Sequence, residues 1–156
     1  MNIKIKEITH KEVKPVIARE VLYDLPEWFG MAESTENYIS ESKDKVFLAC
    51  YVNDDVAGFV VLNATSDDCA EIFVMGVKKQ YQRMRMGTQL MDAYERLAKK
   101  QGYSYSQVKT VKMGCYPEYD RTNRFYIAIG YKELECFPTL WNEQNPCQIY
   151  VKYLGE

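Results

Sequence analysis

Hydrophobic and polar positions along the chain follow two different periods, which predict alternating strands and helices. Ile3, Ile5 and Ile8 give the pattern of a short first strand, whereas apolar residues recur at helical spacing between Met86 and Lys100. Read through the whole chain, the pattern predicts the order βααβββαβαββ. We therefore expect a mixed α/β fold with a mostly antiparallel central sheet flanked by helices.

Two helices are predicted between the first strand and the second. Thr9 and Glu12 have the spacing of a capping box, and Pro15 is expected to open or kink the helix that follows. Ser34 and Thr35 are expected to cap the second helix. The chain would therefore leave the sheet after its first strand and return to it after these two helices.

Three consecutive strands are predicted to form an antiparallel meander. They cover Val46–Val52, Val56–Ala64 and Ala70–Val77, and short polar turns join them. The next strand, Gln107–Met113, follows the amphipathic helix. Because such a crossover favours parallel pairing, we expect this strand to lie parallel to the third meander strand.

The C-terminal part is predicted to be a helix followed by two strands. The helix runs from about Tyr119 to Ala128, and the strands cover Tyr131–Phe137 and Gln148–Leu154. The segment between the two strands carries proline, asparagine and tryptophan, and we expect it to be a loop.

Composition places the whole chain in one domain and narrows its chemistry. The 156 residues are 47% hydrophobic, and no linker, repeat or low-complexity segment divides them, so we expect a single domain over residues 1–156. The single histidine, His10, excludes a two-histidine zinc helix, and none of the five cysteines forms a C-x-x-C pair, so no metal site is expected. Neither a signal peptide nor a membrane-length apolar run is recognisable. We therefore expect a cytoplasmic protein with reduced thiols and no membrane contact.

Charge is distributed unevenly along the chain. The formal net charge is −2, but the segment from Lys78 to Lys100 carries +5 and the remainder −7. Because the chain as a whole is not basic, this contrast indicates a local anion site rather than a nucleic-acid surface. The acidic remainder mildly favours a cationic partner.

The most informative segment is a strand, a basic loop and a helix start between Ala70 and Thr88. Backbone N–H groups at a helix start, together with the positive end of the helix dipole, can hold a phosphate group. Arg83 and Arg85 would add positive charge, and Gly87 would let the backbone approach the anion closely.

Two motifs in the chain resemble those of the GNAT superfamily of N-acetyltransferases. In motif A, a strand ending in valine is followed by [Q/R]-x-x-G-x-[G/A]. Gln82, Met86 and Gly87 fall on positions of this motif, and Arg85 takes the place of its first glycine. Downstream, Arg124–Tyr131 resembles motif B, F-Y-x-x-x-G-[F/Y]. The predicted element order also matches the GNAT fold over essentially the whole chain.

The resemblance implies transfer of an acetyl group from acetyl-CoA to a primary amine. The residues implied to bind the coenzyme pyrophosphate are Gln82, Arg83, Met84, Arg85, Met86, Gly87 and Thr88. Those implied to pair with the pantetheine arm are Met75, Gly76 and Val77, where the two central strands are expected to splay apart. Tyr119 occupies a position where motif B often carries a coenzyme-contacting asparagine, so Asn123, one helical turn later, is a substitute candidate.

The resemblance also implies catalytic roles. Tyr126 matches the tyrosine of motif B and is the candidate general acid; the alternative is a packed aromatic with a satisfied hydroxyl. A backbone N–H near Met75 is the candidate oxyanion donor. Glu71 is the candidate base, and strand alternation is expected to place it on the same face as Phe73 and Met75. The alternatives are that Glu71 is a surface residue or a substrate anchor, or that no dedicated base is required.

Aromatic residues in or beside loops are candidates for the acceptor pocket. They are Trp28, Phe29, Tyr116, Tyr119 and Trp141. The acceptor is expected to be a small-molecule or lysine-like amine, and such folds are often homodimers. A non-catalytic acyl-CoA-binding sensor or interaction module of the same fold is the alternative, because Arg85 stands where backbone normally approaches phosphate.

Overall fold

Seven strands and four α-helices make up residues 2–155, the part of the chain that the computed structural model describes. The strands are β1 (Ile3–Glu7), β2 (Val46–Val52), β3 (Asp55–Ala64), β4 (Cys69–Val77), β5 (Tyr105–Val111), β6 (Lys132–Asn142) and β7 (Asn145–Tyr153). The helices are α1 (Val13–Leu22), α2 (Ala32–Ser42), α3 (Met86–Lys100) and α4 (Pro117–Ala128). This order, βααβββαβαββ, is the predicted one. Within residues 2–155, none of the helices is long and apolar enough to cross a membrane.

The strands form one sheet in the order β1-β2-β3-β4-β5-β7-β6. Neighbouring strands are antiparallel except β4 and β5, whose parallel pairing confirms the expectation drawn from the crossover helix α3. β7 lies between β5 and β6, so β6 is an edge strand. The mixed, mostly antiparallel sheet with flanking helices is thereby confirmed.

The segment predicted as a loop between the last two strands is instead part of a long β-hairpin. β6 continues to Asn142 and β7 begins at Asn145, so only two residues form the turn. Pro138 does not prevent this, because β6 is an edge strand whose pairing is irregular between Phe137 and Asn142. The loop prediction is therefore wrong, and Trp141 lies on a strand beside the hairpin turn.

Neither predicted helix cap forms. Glu12 is the N-cap residue of α1 and its side chain makes no capping hydrogen bond, so the Thr9–Glu12 box is absent. α2 begins at Ala32, which places Ser34 and Thr35 inside its first turn. The Thr35 hydroxyl instead donates to two preceding backbone carbonyl oxygens, at 3.1 and 3.2 Å.

Hydrophobic clusters cover both faces of the sheet. On one face, α3 packs through residues such as Leu90 and Tyr94, which are fully buried. On the other face, α1 and α2 pack through residues such as Val21 and Ile39. Because helices bury both faces, the central strands are almost continuously apolar, and the residues that break this pattern lie at the ends of strands or in the cleft described below.

A β-bulge interrupts β4 at Phe73. Val61 of β3 pairs with Val74, whereas Leu62 pairs with Ile72, so Phe73 has no partner on β3. A bulge of this kind adds one residue to a strand and shifts every later side chain to the other face.

The bulge corrects the expected alternation along β4. Phe73 and Val74 both pack on the cluster beneath α1 and α2, whereas Ile72 and Met75 pack on the cluster beneath α3. Glu71 therefore shares a face with Phe73 as predicted, but Met75 lies on the opposite face. The expected common face of Glu71, Phe73 and Met75 is wrong, because period-two alternation does not continue through a bulge.

Candidate active site

A cleft opens where β4 and β5 diverge. Their parallel pairing ends at Ile72 and Val108, although β4 continues to Val77 and β5 to Val111. The N-terminus of α3, the first half of α4, the α1–α2 loop and the end of the β6–β7 hairpin complete its walls. We call this feature the central cleft.

The basic loop between β4 and α3 is fixed to the α1–α2 loop and to the end of β4. It contains a short 3-10 turn, Lys79–Tyr81. The Lys79 backbone N–H donates to Asp24 at 2.8 Å, and the Lys79 ammonium pairs with Glu27. Gln82 Nε2 donates to the Val77 carbonyl oxygen at 3.0 Å. The motif glutamine therefore holds the loop against the strand that precedes it.

The start of α3 presents a run of backbone N–H groups. Those of residues 83–88 have no acceptor within residues 2–155, and α3 makes its first helical hydrogen bond from Gln89 to the Arg85 carbonyl oxygen at 3.0 Å. Arg83 and Arg85 have φ of 63° and 65°, in the left-handed region. Free N–H groups, left-handed turns and the positive end of a helix dipole together form a site for an anion.

Two glycines near the cleft owe their presence to packing. A Cβ on Gly87 would lie 3.3 Å from Cζ of Phe125, so glycine lets α3 approach α4. A Cβ on Gly76 would lie 3.0 Å from Cδ1 of Leu25, so glycine lets β4 approach the end of α1. The close approach of backbone to an anion at Gly87 stays a prediction, and the structure adds this contact between α3 and α4.

Nearly all of the residues predicted to bind the coenzyme line the central cleft. They are Met75, Gly76, Val77, Gln82, Arg83, Arg85, Met86, Gly87 and Thr88. Met84 does not line it and is exposed on the outer side of the loop.

Asn123 has a structural role that contradicts its assignment to the coenzyme. Its side chain is fully buried, and Nδ2 donates to the carbonyl oxygens of Val111 and Tyr119 at 2.8 and 2.7 Å. Oδ1 accepts from the Tyr150 hydroxyl at 2.6 Å. The amide therefore joins α4 to β5 and β7, and does not line the cleft. The i, i+4 spacing from Tyr119 is present, but Asn123 points into the sheet.

Tyr126 presents its hydroxyl to the central cleft from a buried ring. The ring is 96% buried and packs edge-on against Phe125 and Tyr131, with centroids 5.4 and 5.8 Å away. The hydroxyl has no hydrogen-bond partner within residues 2–155, and the residue lines the cleft. Burial raises the pKa of Tyr126 above its ordinary value, so the hydroxyl remains protonated well beyond neutral pH.

Glu71 is held in a polar network. Oε1 accepts from Asn63 Nδ2 at 3.1 Å, and Oε2 forms an ion pair with the Lys109 ammonium. The carboxylate is 10% exposed in its side chain and does not line the cleft. Because both oxygens are engaged and the carboxylate does not line the cleft, the arrangement favours neither a free base nor a substrate anchor; Glu71 instead joins β4 to β3 and β5.

The five aromatic residues predicted for the acceptor pocket all line the central cleft. Trp28 Nε1 donates to the Glu118 carbonyl oxygen at 3.2 Å and to Thr122 Oγ1 at 3.1 Å. The Tyr119 hydroxyl donates to the Trp28 carbonyl oxygen at 2.7 Å. These bonds fasten the α1–α2 loop to the start of α4, and we call them the Trp28 clasp.

Sequence reasoning missed several residues of the cleft wall. They are Tyr38, Phe73, Lys109 and Arg121. Lys109 carries a recognisable signal, because it is a cation within an otherwise half-buried strand that pairs in parallel with the strand of Glu71. Tyr38 carries none, since an aromatic residue on an amphipathic helix is ordinarily core.

Comparison with known families identifies the class of protein to which this fold belongs. Residues 16–131 match the model of the family described as "Acetyltransferase (GNAT) family". This match spans most of the chain, so the protein belongs to the GNAT acetyltransferase family.

Solved structures have the same fold, and a curated relative matches part of the sequence. A GNAT-family protein from Desulfovibrio desulfuricans superposes with a TM-score of 0.86 at 14% identity, covering 99% of this chain and 100% of that one. An aminoglycoside 6'-N-acetyltransferase complexed with coenzyme A gives 0.79 at 16% identity and 98% of both chains. A Xenopus tropicalis protein named "Probable N-acetyltransferase 14" is 37% identical over 68 residues, which are 43% of this chain and 33% of that relative. The match thus spans a third of that protein.

Replacing Asn123 tests the correction to its role. Asn123→Ala leaves the Val111 carbonyl oxygen and the Tyr150 hydroxyl without their partner, and we expect a loss of roughly 2–4 kcal/mol in the free energy of unfolding. Urea denaturation measures it, with the exposed neighbour Arg124→Ala as a control that changes little. Unchanged stability combined with loss of coenzyme binding would restore the original assignment.

The left-handed backbone at Arg85 predicts an order of stability between two variants. Arg85→Gly and Arg85→Ala both remove the guanidinium, but only glycine adopts φ of 65° without a steric penalty. We expect the glycine variant to be more stable than the alanine variant by about 1 kcal/mol. Thermal denaturation without ligand measures the difference. Equal stability of the two would show that residue 85 is not left-handed in solution.

Proposed function

We propose that the protein is an N-acetyltransferase that moves the acetyl group of acetyl-CoA to a primary amine. The observation that carries this proposal is the central cleft itself, in which diverging strands lie beside backbone N–H groups and a tyrosine hydroxyl that have no partner among residues 2–155. The family to which the chain belongs supports the same reading.

The cleft fits the parts of acetyl-CoA. The N–H groups of residues 83–88, with Arg83 and Arg85, match the negative charge of a pyrophosphate. The edge of β4 that faces away from β3 loses its partner β5 beyond Ile72, so backbone groups near Met75 and Val77 are available to an extended pantetheine arm. A GNAT acetyltransferase from Elizabethkingia anophelis, with a TM-score of 0.74, was solved with acetyl-CoA bound.

The reaction places three demands on the protein. The amine nitrogen must be unprotonated, the negative charge that develops on the carbonyl oxygen needs a donor, and the departing sulfur needs a proton. We assign the second to a backbone N–H near Met75, next to the bulge, and the third to the Tyr126 hydroxyl. A carbon–nitrogen bond forms, the carbon–sulfur bond breaks, and Tyr126 regains its proton from solvent.

Removal of the amine proton needs no dedicated carboxylate in this scheme. Glu71 is engaged by Asn63 and Lys109, so the enzyme would bind the unprotonated fraction of the amine and release the proton to water. A reaction without a dedicated base is one of the alternatives that the sequence leaves open.

The alternative function is an acyl-CoA-binding module without catalysis. Arg85 favours it, because a side chain stands at the first glycine of the motif. The left-handed conformation of Arg85 answers this objection, since the backbone takes the turn that a glycine would make while the guanidinium adds charge. The Tyr126 hydroxyl, which has no hydrogen-bond partner in the described part of the chain, favours the enzyme.

Binding and turnover separate the two functions. We expect acetyl-CoA at a hundredfold excess over its Kd to stabilise the protein by about 2.7 kcal/mol, or roughly 5–10 °C in Tm. We expect free thiol to be released when acetyl-CoA is supplied with a panel of primary amines. Stabilisation without thiol release would favour the non-catalytic module, and no stabilisation at all would contradict both.

Tyr126→Phe tests the general acid. We expect kcat to fall by about 10²–10⁴-fold while acetyl-CoA still raises Tm, because only the proton donor is removed. Tyr153→Phe, an exposed position on β7, is the matched control.

The direction in which kcat/KM changes with pH can be predicted. Since the Tyr126 pKa lies above its ordinary value of 10.0, the acid form persists, and kcat/KM should rise with pH as the amine loses its proton. A falling limb in the wild type that persists unchanged in Tyr126→Phe would assign the proton donor to another group and contradict the assignment.

A further inference from the structure

Lys109 brings unused hydrogen-bond donors into the central cleft. Its ammonium group has three N–H bonds, and within residues 2–155 it donates only to Glu71. The Lys109 side chain is 32% exposed, whereas that of Glu71 is 10% exposed. The ion pair therefore turns its cationic end towards the cleft and its anionic end towards the sheet.

Both carboxylate oxygens of Glu71 are engaged, and Glu71 holds Lys109 in position. One of its oxygens accepts from Asn63 and the other from Lys109, while Lys45 donates to Asn63 Oδ1 at 3.1 Å. The network crosses β3, β4 and β5 beneath α2. Its effect is to hold the Lys109 ammonium in one place, which makes Glu71 a positioning residue.

The cation in this corner of the cleft is Lys109. It keeps N–H bonds that Glu71 does not use, whereas Lys45 donates to Asn63 and does not line the cleft. The carboxylates nearest to Tyr38 are those of Glu71 on β4 and Glu41 on α2. The neighbouring Cys147 thiol carries no charge, because burial raises its pKa to about 11. An ammonium group with unused N–H bonds suits an anionic group of a ligand.

Tyr38 supplies a second donor beside the ion pair. It lines the cleft, and its hydroxyl has no hydrogen-bond partner within residues 2–155. Its ring packs edge-on against Phe73 at 5.3 Å and Phe29 at 6.1 Å. Burial and the charge of Glu71 raise the pKa of Tyr38, so its hydroxyl is a neutral donor.

This corner is separate from the proposed coenzyme site. Tyr38 and Phe73 belong to the cluster beneath α1 and α2, whereas the N–H groups and arginines that would hold the pyrophosphate lie at the start of α3, on the other face of the sheet. An anion bound by Lys109 would accordingly belong to the acceptor.

We propose that the acceptor is an amine that also carries a carboxylate, and that Lys109 and Tyr38 bind this carboxylate while aromatic residues enclose the remainder. The proposal rests on the proposed function. Phe29, Phe73 and Trp28 line the same part of the cleft, so an apolar or aromatic body is expected between amine and carboxylate.

The test compares matched amines that differ only at the carboxylate. L-Phenylalanine and L-phenylalaninamide are supplied at equal concentrations of unprotonated amine, and thiol release gives kcat/KM for each. We expect the carboxylate form to be preferred by about tenfold or more, in KM rather than kcat, since a charge-assisted hydrogen bond is gained. Equal use of the two, or preference for the amide, overturns the proposal.

Variants test which residues cause the preference for the carboxylate form. Because Lys109→Met alone would leave Glu71 buried without its partner, the double variant Glu71→Gln/Lys109→Met is used, and we expect it to abolish the preference. Tyr38→Phe should reduce the preference, and Lys109→Arg should retain it. Lys112→Met, at an exposed position just beyond β5, is the control and should leave it unchanged. A preference that survives the double variant overturns the role of Lys109.

A binding readout separates this proposal from the proposed function. N-Acetyl-L-phenylalanine and its amide are compared by thermal shift in the wild type and the double variant. If no amine releases thiol but the carboxylate compound still stabilises the wild type selectively, the proposed function fails and the anion subsite stands. If thiol is released equally from both amines, the function stands and the subsite fails. If phosphoethanolamine is preferred over ethanolamine while the phenylalanine pair is not discriminated, the carboxylate assignment is wrong.

Discussion

The limited pairing between β4 and β5 is the constraint on which the rest of the site depends. Parallel strands can share a ladder only while they run side by side, and here the ladder ends at Ile72 and Val108. The bulge at Phe73 follows at once and re-aims the remainder of β4. Backbone groups that a continuous sheet would satisfy are thereby left for a ligand. The basic loop and the start of α3 stand at the end of the same strand, so the opening and the anion site arise from one segment.

Much of the fold could be predicted because its signals are local. The helical period of α3 and the alternation of the first strands are determined within short windows, and the crossover rule then gives the parallel pair. The long β6–β7 hairpin could not be predicted from the sequence. Pro138 and Trp141 indicate a loop unless β6 is known to be an edge strand. The bulge at Phe73 leaves no mark in the sequence, since apolar residues fill both faces there.

Some residues of the candidate site could be predicted from the sequence and others could not. The coenzyme loop follows from a contiguous motif, and most of its residues line the cleft. The roles of Asn123 and Glu71 depend on the direction in which each side chain points. Both side chains bind partners distant in sequence, Tyr150 for Asn123 and Lys109 for Glu71. Net charge is equally uninformative about this part of the cleft. An acidic remainder of the chain coexists with the Lys109 ammonium in the cleft, because Glu71 and Asn63 hold that cation in place.

The Trp28 clasp has a consequence for the order in which the protein assembles. Trp28 and Glu118 are 90 residues apart in the chain, yet the clasp joins them directly. Contacts of such long range form late, since the intervening chain must first be ordered. As synthesis proceeds from the N-terminus, the α1–α2 loop emerges long before α4 exists to receive it. The clasp therefore cannot form before α4 has been synthesised, so this wall of the cleft is completed late although its first half is made early.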